Sequence, residues 1–498
     1  MKRHISISTA LFIFVIIGLF LPSSVFSKSK CETIVIYHLN DLHAQIDNFA
    51  KIAPVINQER KKNPNVFFMD AGDNFSGNPI VDQYVPKGEP MLQLLNQLKV
   101  SVMELGNHDF DYGQEILKKA MNNATYPIIC ANVKVIPGGG AIIPQPKPYV
   151  IFKTQKGTKI AVLGLVQTSR DTHIPSTHPD RVKGLVFSDA LETAKEYRYL
   201  KKQNNIFIAL SHLGYDEDEM LAKEMGELDV IVGGHSHTVI QEPKEINGVL
   251  ITQAGSNAKY LGRIELKVEN GKVIYKKGEL IDVSTLKNED PKLKALIANF
   301  KNNPEFNRLI ATLPMELVGS DELGNFITDA ARNMNHLDIA FHNQGGIRLD
   351  HLGPSIRLMD IYKMLPFEND IVLFEMTPAE IKTLITYSYK RRNNFDLKVS
   401  GINYTILVQA GSEPGKPPVI KDIELKDEAG NVLDENKSYK VGINDYIASI
   451  YKFTHQDPGK ALKTIIAPLV IDYLQKEKDA YNVYKNIKKI RTHEKEVN

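Results

Sequence analysis

Aspartate and histidine recur through the first half of this 498-residue chain in an order that chance rarely produces. Asn40-Asp41-Leu42-His43, Asp70-Ala71-Gly72-Asp73-Asn74 and Gly106-Asn107-His108-Asp109-Phe110-Asp111 each follow a short apolar run. So do Ser211-His212-Leu213-Gly214 and Gly233-Gly234-His235-Ser236-His237. One Asp-x-His alone would mean little, because a capping Asp or a satisfied core His explains it better. Five such groups, each at a strand exit beside Gly or Asn, describe one assembled site. Four imidazoles, two carboxylates and an amide carbonyl suit Zn, Mn, Fe or Co better than Ca, which prefers oxygen throughout. Seven ligands exceed the needs of one ion, whereas two ions sharing a carboxylate use them all. Asp73, in the most Gly-rich turn, is the candidate bridge. Two divalent ions, two Asp and one bridging hydroxide leave a net charge of about +1, the sign that holds a phosphate for in-line hydrolysis. His108 can face a substrate while Asn107 faces the metal. Asp111, three residues on, can hold that ring and keep it protonated, for a catalytic dyad.

Strands must deliver these groups. Thr33 to Tyr37, Val66 to Met69, Val102-Met103, Ile206 to Leu210 and Val230 to Val232 read as short buried strands. Helical stretches follow near Phe49, Pro90 to Leu98 and Gly113 to Asn122, and Tyr149 to Leu163 reads as a hairpin split at Gly157. Alternation of this kind predicts an α/β layered domain with its site at the carboxyl ends of the strands. A charged, helix-prone stretch with Pro291 and Pro304 reads as a linker. Beyond it lies a second α/β unit with a Gly/Pro-rich loop at Gly411 to Pro418.

The chain is too long for one core, so two domains are expected. It is 43% hydrophobic and 24% charged, with 61 basic against 59 acidic residues. That balance excludes a surface built to coat nucleic acid, and leaves anion binding to a local site. Met1-Lys2-Arg3-His4, the apolar run from Ile5 to Leu21, then Pro22 and small residues up to Ser27 follow the grammar of a cleaved signal peptide. Cleavage near Val25-Phe26-Ser27 would leave no membrane anchor and a periplasmic or extracellular protein. Export permits a disulfide between Cys31 and Cys130, the only cysteines, but two thiols cannot staple so large a chain.

In the second half, Leu337 to Phe341 reads as a strand ending in His342-Asn343-Gln344-Gly345-Gly346-Ile347-Arg348. Paired glycines let a ligand approach backbone, and an Arg fork matches phosphate or carboxylate. Phe367, in Met364-Leu365-Pro366-Phe367-Glu368, is either a core ring or a stacking platform.

Asp-x-His, Gly-Asp-Asn, Gly-Asn-His-Asp, a lone His and Gly-His-x-His together resemble the calcineurin-like metallophosphoesterase signature. Gly106 to Asp111 and Gly233 to His237 are similar to the 5′-nucleotidase branch, which includes bacterial UDP-sugar hydrolases. The resemblance implies metal ligands at Asp41, His43, Asp73, Asn107, His212, His235 and His237, and a His108–Asp111 dyad. It implies a four-layer α/β phosphoesterase domain of mixed sheets flanked by helices, joined by a helical linker to a second α/β domain. The corresponding boundaries are 1–27 for the signal peptide, 28–284, 285–313 for the linker, and 314–498. Asn-x-Gly-Gly-Ile-Arg followed by Leu-Pro-Phe resembles the C-terminal domain of 5′-nucleotidases. That implies substrate roles for Asn343, Arg348 and Phe367, with Tyr446 as the second jaw of a base clamp. Two features depart from the family. Ser449-Ile450-Tyr451-Lys452 stands where Gly-Gly-Asp-Gly is common, and no Arg precedes Leu323-Gly324-Asn325 back to Arg308. The expected activity is hydrolysis of nucleoside 5′-monophosphates, UDP-sugars or cyclic nucleotides by two divalent ions. A thiosulfohydrolase-like or other non-nucleotide esterase, or a metal-bearing protein without catalysis, are the alternatives.

Overall fold

The computed structural model describes residues 31–169, 173–392, 394–409, 418–476 and 480–497. The expected signal peptide, and the 411–418 loop except Pro418, lie outside these residues. In the first half, the strand Glu32–Leu39 sends alternate side chains to opposite faces, as the pleat requires. Ile34 and Ile36 enter one apolar cluster, Val35, Tyr37 and Leu39 another. A strand buried on both sides belongs inside a layered fold. It is central to a six-stranded sheet, in order Lys272–Asp282, Tyr260–Glu269, Glu32–Leu39, Val66–Asp70, Val102–Glu104 and Ile128–Ile129. A second six-stranded sheet runs Lys244–Ile246, Val249–Thr252, Val230–Val232, Ile206–His212, Lys159–Val166 and Tyr149–Lys153.

The two sheets meet over a shared layer that includes Ile34, Ile36, Val162, Ile208 and Val230. Helices Phe49–Lys62, Glu89–Leu98 and Gln114–Asn123 cover the outside of the first sheet, and Ala190–Glu196 and Tyr215–Glu224 the outside of the second. The result is helix, sheet, sheet, helix, the four-layer arrangement. Leu39 pairs with Asp70 and Asp70 with Met103 in parallel register, and Val232 pairs with Leu210. Three of the polar groups therefore leave neighbouring strands of the first sheet and two leave neighbouring strands of the second, each at the carboxyl edge. The Tyr260–Asp282 hairpin adds antiparallel strands, which the sequence reading did not anticipate. Its outer strand is mostly exposed or half-buried, so it carries little apolar signal.

Helix Pro291–Lys301 is N-capped by Asp290, which accepts from the N–H of Lys292 and Leu293. Leu293, Ile297 and Phe300 join the core formed by Phe49 and Ile52, so the stretch expected as a linker is docked on the first half. The strand Leu309–Thr312 instead pairs with Ser355–Arg357 in the second half. There a five-stranded sheet runs Leu397–Ser400, Ile339–Asn343, Tyr439–Asn444, Asp370–Met376 and Lys460–Ile465. Helices Gly319–Asn335 and Ile466–Lys476 pack on one face. Helix Pro378–Arg392 and a three-stranded sheet pack on the other. Cys31 is exposed, Cys130 is buried, and both are free thiols. Among the described residues no helix is long and apolar enough to cross a membrane.

Candidate metal centre and active site

Five of the seven residues proposed as ligands occupy left-handed backbone: Asp41 (φ 51°), His43 (46°), Asp73 (57°), His235 (74°) and His237 (56°). That region costs a non-Gly residue about 1–3 kcal/mol and persists only where the surroundings impose it. Here they do. The Asp41 N–H donates to Gly72 O (2.9 Å) and His43 N–H to Asp73 O (2.9 Å), stitching the first two turns together. Buried Asp109 accepts from the N–H of Asp73 (3.0 Å), Asn74 (3.0 Å) and Gly106 (2.8 Å), stitching the second to the third. Gly106 is obligatory at this crossing, since a β-carbon there would lie 2.2 Å from Asp73 Oδ1. Asn40 donates to Asp41 Oδ2 (2.6 Å) and Gly255 O (2.6 Å). Gln253 donates to Gly234 O (2.9 Å) and accepts from Ser236 Oγ, so it carries the His235–His237 turn. Asn40, Asp109 and Gln253 were not singled out from sequence. The first two sit inside the motifs, but nothing local distinguishes a turn organiser from a ligand.

These turns bring all seven residues together. His43 Nε2 and His237 Nε2 are 2.9 Å apart, and His237 Nε2 lies 3.4 Å from Asp41 Oδ1. His212 Nε2 lies 3.1 Å from Asp73 Oδ2, and His235 Nδ1 lies 2.9 Å from Asn107 Oδ1. Among the described residues, three groups of side chains are close enough to hold an ion: Asp41–His43–His237, His43–Asp73–His108 and Asp73–His212–His235. Asp73 is common to two of them. His212 is the sharpest test of fit. Its Nδ1 donates to Ala71 O (2.6 Å), while Nε2 is fully buried with no hydrogen-bond partner. A buried ring nitrogen facing two carboxylates sits where positive charge is favoured, which suits a metal cation. Burial alone would depress His212, but the charges of Asp73 and Asp41 lift it to about 10. Burial also opposes ionisation of Asp73, yet His212 and His108 hold it well below the usual carboxylate range. His43 and His235 are pushed down by burial, to about 3 and about 4, and so are neutral donors. The residues present fit divalent transition ions.

His108 Nδ1 lies 2.7 Å from Asp111 Oδ2, which also accepts from Ser76 Oγ (2.8 Å), while Thr177 Oγ1 reaches Oδ1 (3.3 Å). Burial disfavours the imidazolium, but the charges of Asp111 and Asp73 outweigh it and raise the His108 pKa. From the second half, Phe367 stacks on His108 with centroids 5.5 Å apart and planes 19° apart. The Arg348 guanidinium lies 5.8 Å from the Phe367 centroid. Beside them is a cavity of about 640 Å³ whose wall includes Ser76, Asp111, Thr177, Phe367 and Asp445. Tyr446 is not in that wall. Its hydroxyl accepts from Arg391 (3.4 Å) instead. Asn343 closes the Ile339–Asn343 strand, where its Oδ1 accepts from Asn444 Nδ2 (2.7 Å).

The comparisons agree with this geometry. Residues 34–239 match the calcineurin-like phosphoesterase family and residues 302–452 the 5′-nucleotidase C-terminal domain. A trifunctional nucleotide phosphoesterase protein of Bacillus subtilis is 29% identical over 90% of this chain, which spans only 34% of that protein. The 5′-nucleotidase of Diplobatis ommata is 28% identical, over 83% of this chain and 82% of its own. The crystal structure of a 5′-nucleotidase precursor from Thermus thermophilus superposes with a TM-score of 0.75 at 26% identity, covering 93% of this chain and 99% of that one. The chain thus joins a calcineurin-like phosphoesterase domain to a 5′-nucleotidase C-terminal domain, as in the 5′-nucleotidases it is similar to, and it is a metal-dependent phosphoesterase.

Proposed function

We propose that this protein is an exported 5′-nucleotidase that hydrolyses nucleoside 5′-monophosphates to nucleoside and phosphate with two divalent ions. Asp41, His43, Asp73 and His237 would hold one ion and Asp73, Asn107, His212 and His235 the other. Bound there, the ions would polarise the phosphoryl oxygens and activate water for in-line attack. Asp111 anchors Nδ1 of His108, which leaves Nε2 to carry a proton toward the phosphoryl or leaving oxygen. Arg348 offers a guanidinium to the phosphate, and Phe367 a ring face to the base. The observation that carries this reading is the stack of Phe367 on His108, with Arg348 against the Phe367 ring, because it sets recognition groups against the reacting centre.

The test is Phe367→Ala, assayed on AMP and on a small aryl phosphate. If the ring stacks on a base, AMP should lose roughly 1–3 kcal/mol in kcat/KM, because base stacking is worth that much, while the aryl phosphate hardly changes. Equal losses would mean that no base is recognised and would favour a non-nucleotide esterase. For export, the mature N-terminus should fall near Lys28. N-terminal sequencing of the secreted or periplasmic fraction reads it directly.

A further inference from the structure

Asp218 is a fully buried acid on helix Tyr215–Glu224, and none of the chemistry above uses it. Its Oδ1 accepts from the Ser211 hydroxyl (2.5 Å), one residue before His212. Its Oδ2 lies against Gly233, where a β-carbon would come within 2.2 Å of that oxygen. Gly233 opens the turn that carries His235 and His237. One side chain therefore touches both turns through which the second sheet delivers its proposed ligands. Oδ2 has no hydrogen-bond partner among the described residues, so its contact with Gly233 sets a distance by shape alone.

That distance matters because the backbone does not fix it. The ladder between Ile206–His212 and Val230–Val232 ends at the pair Leu210 and Val232, short of both histidines. Past it, His212 is tied to Ala71, and His235 to Asp41 and Asn107, all in turns of the first sheet. The Tyr215 N–H donates to Ser236 Oγ (3.0 Å) on the exposed side of the junction, and Asp218 fills the buried side. His212 and His235 share one cluster with Asp73, close enough to hold a single ion. His237, further along the turn, lies beyond Ser236, whose hydroxyl donates to Gln253. Burial pushes the Asp218 carboxyl up to about 8, so at neutral pH the brace is a neutral acid that Asn closely mimics.

We propose that Asp218 is a positioning residue for one metal ion, the one that Asp73, Asn107, His212 and His235 would hold. By filling the space between Ser211 and Gly233 it sets how far apart the two histidines stand. The inference rests on the two-ion reading above, and it makes the occupancy of the two sites separable.

The experiment loads the full-length protein with Zn²⁺ alone and counts ions per chain by elemental analysis through a chelator titration. The native protein is compared with Asp218→Asn and Asp218→Ala. Loss of a group that supports a metal ligand weakens metal binding roughly tenfold to a hundredfold. Asp218→Ala should therefore drop from two ions to about one at chelator levels where the native protein keeps both. Asp218→Asn should keep both, because its Oδ1 still accepts from Ser211. A merely structural residue would lower the melting temperature of the metal-free protein and leave both ions bound, and that result would overturn the inference. So would loss of both ions together, or an Asn variant no better than Ala. Should Asp218→Ala fail to fold, Gly233→Ala decides the matter, since its methyl group must displace the carboxyl. It should shed one ion while circular dichroism stays native, and two ions held as tightly as before would sink the idea. A native protein that binds only one ion would overturn the two-ion reading itself.

Discussion

His108 depends on a carboxylate three residues away, and Asp111 in turn depends on Ser76 and Thr177. None of these contacts passes through the seven proposed ligands. His108→Ala should therefore leave metal content nearly intact while turnover falls about a hundredfold or more, as expected for a positioned acid. Elemental analysis beside kcat tests this, and metal lost in step with activity would make His108 a ligand. A second residue-scale expectation concerns Asp82. It is buried, accepts from the Tyr112 hydroxyl and the Gly77 N–H, and is pushed up to about 7, chiefly by burial. The folded state then binds this proton more tightly than the unfolded chain, whose carboxyl titrates near 4. Stability should fall by about 1.4 kcal/mol per pH unit between those values as pH rises. Asp82→Asn has no such proton to lose, so its melting temperature should gain on the native protein from pH 5 to pH 8. Parallel curves would mean that Asp82 is ionised in the fold.

At the scale of elements, the site is a set of turns tied to one another more than to their own strands. Gly106 passes so close to Asp73 that a methyl group would collide with its carboxylate and its N–H. Gly106→Ala should therefore abolish stoichiometric metal binding while circular dichroism keeps the native α/β signature. The strands that carry these turns were legible from short β-branched runs, and the observed Glu32–Leu39 and Val66–Asp70 extend those readings by only a residue or two. The Tyr260–Asp282 hairpin was not legible, because an edge pair with one wet face has no continuous apolar run.

At the scale of the molecule, the two halves touch at the site. Lys87 pairs with Glu368 (2.5 Å) and His178 with Ser449 (3.1 Å) near the Phe367–His108 stack. Because Leu293, Ile297, Phe300 and Phe306 complete the core of the first half, a fragment cut at Leu286 should be unstable. One ending at Asn307 should fold, bind metal and cleave a small aryl phosphate slowly, while nucleotide hydrolysis collapses for want of binding energy from the leaving group. Melting temperatures of the two fragments, with activity on both substrates, test the boundary. Equal stability would return the Pro291–Lys301 helix to the role of a free linker.

Sequence alone determined which residues could bind metal, because Asp, His and Asn fall at the carboxyl ends of parallel strands, where sites in α/β sheets assemble. It also marked the His108–Asp111 pair, which is local. What only the tertiary structure decided are contacts between residues far apart in the chain. Asp109 ties two turns together through three N–H groups, Phe367 crosses from the second half to His108, Tyr446 engages Arg391 away from the cavity wall, and Arg392 arrives beside Gly345. Such encounters depend on how helices and sheets dock, and no local spacing or periodicity encodes them.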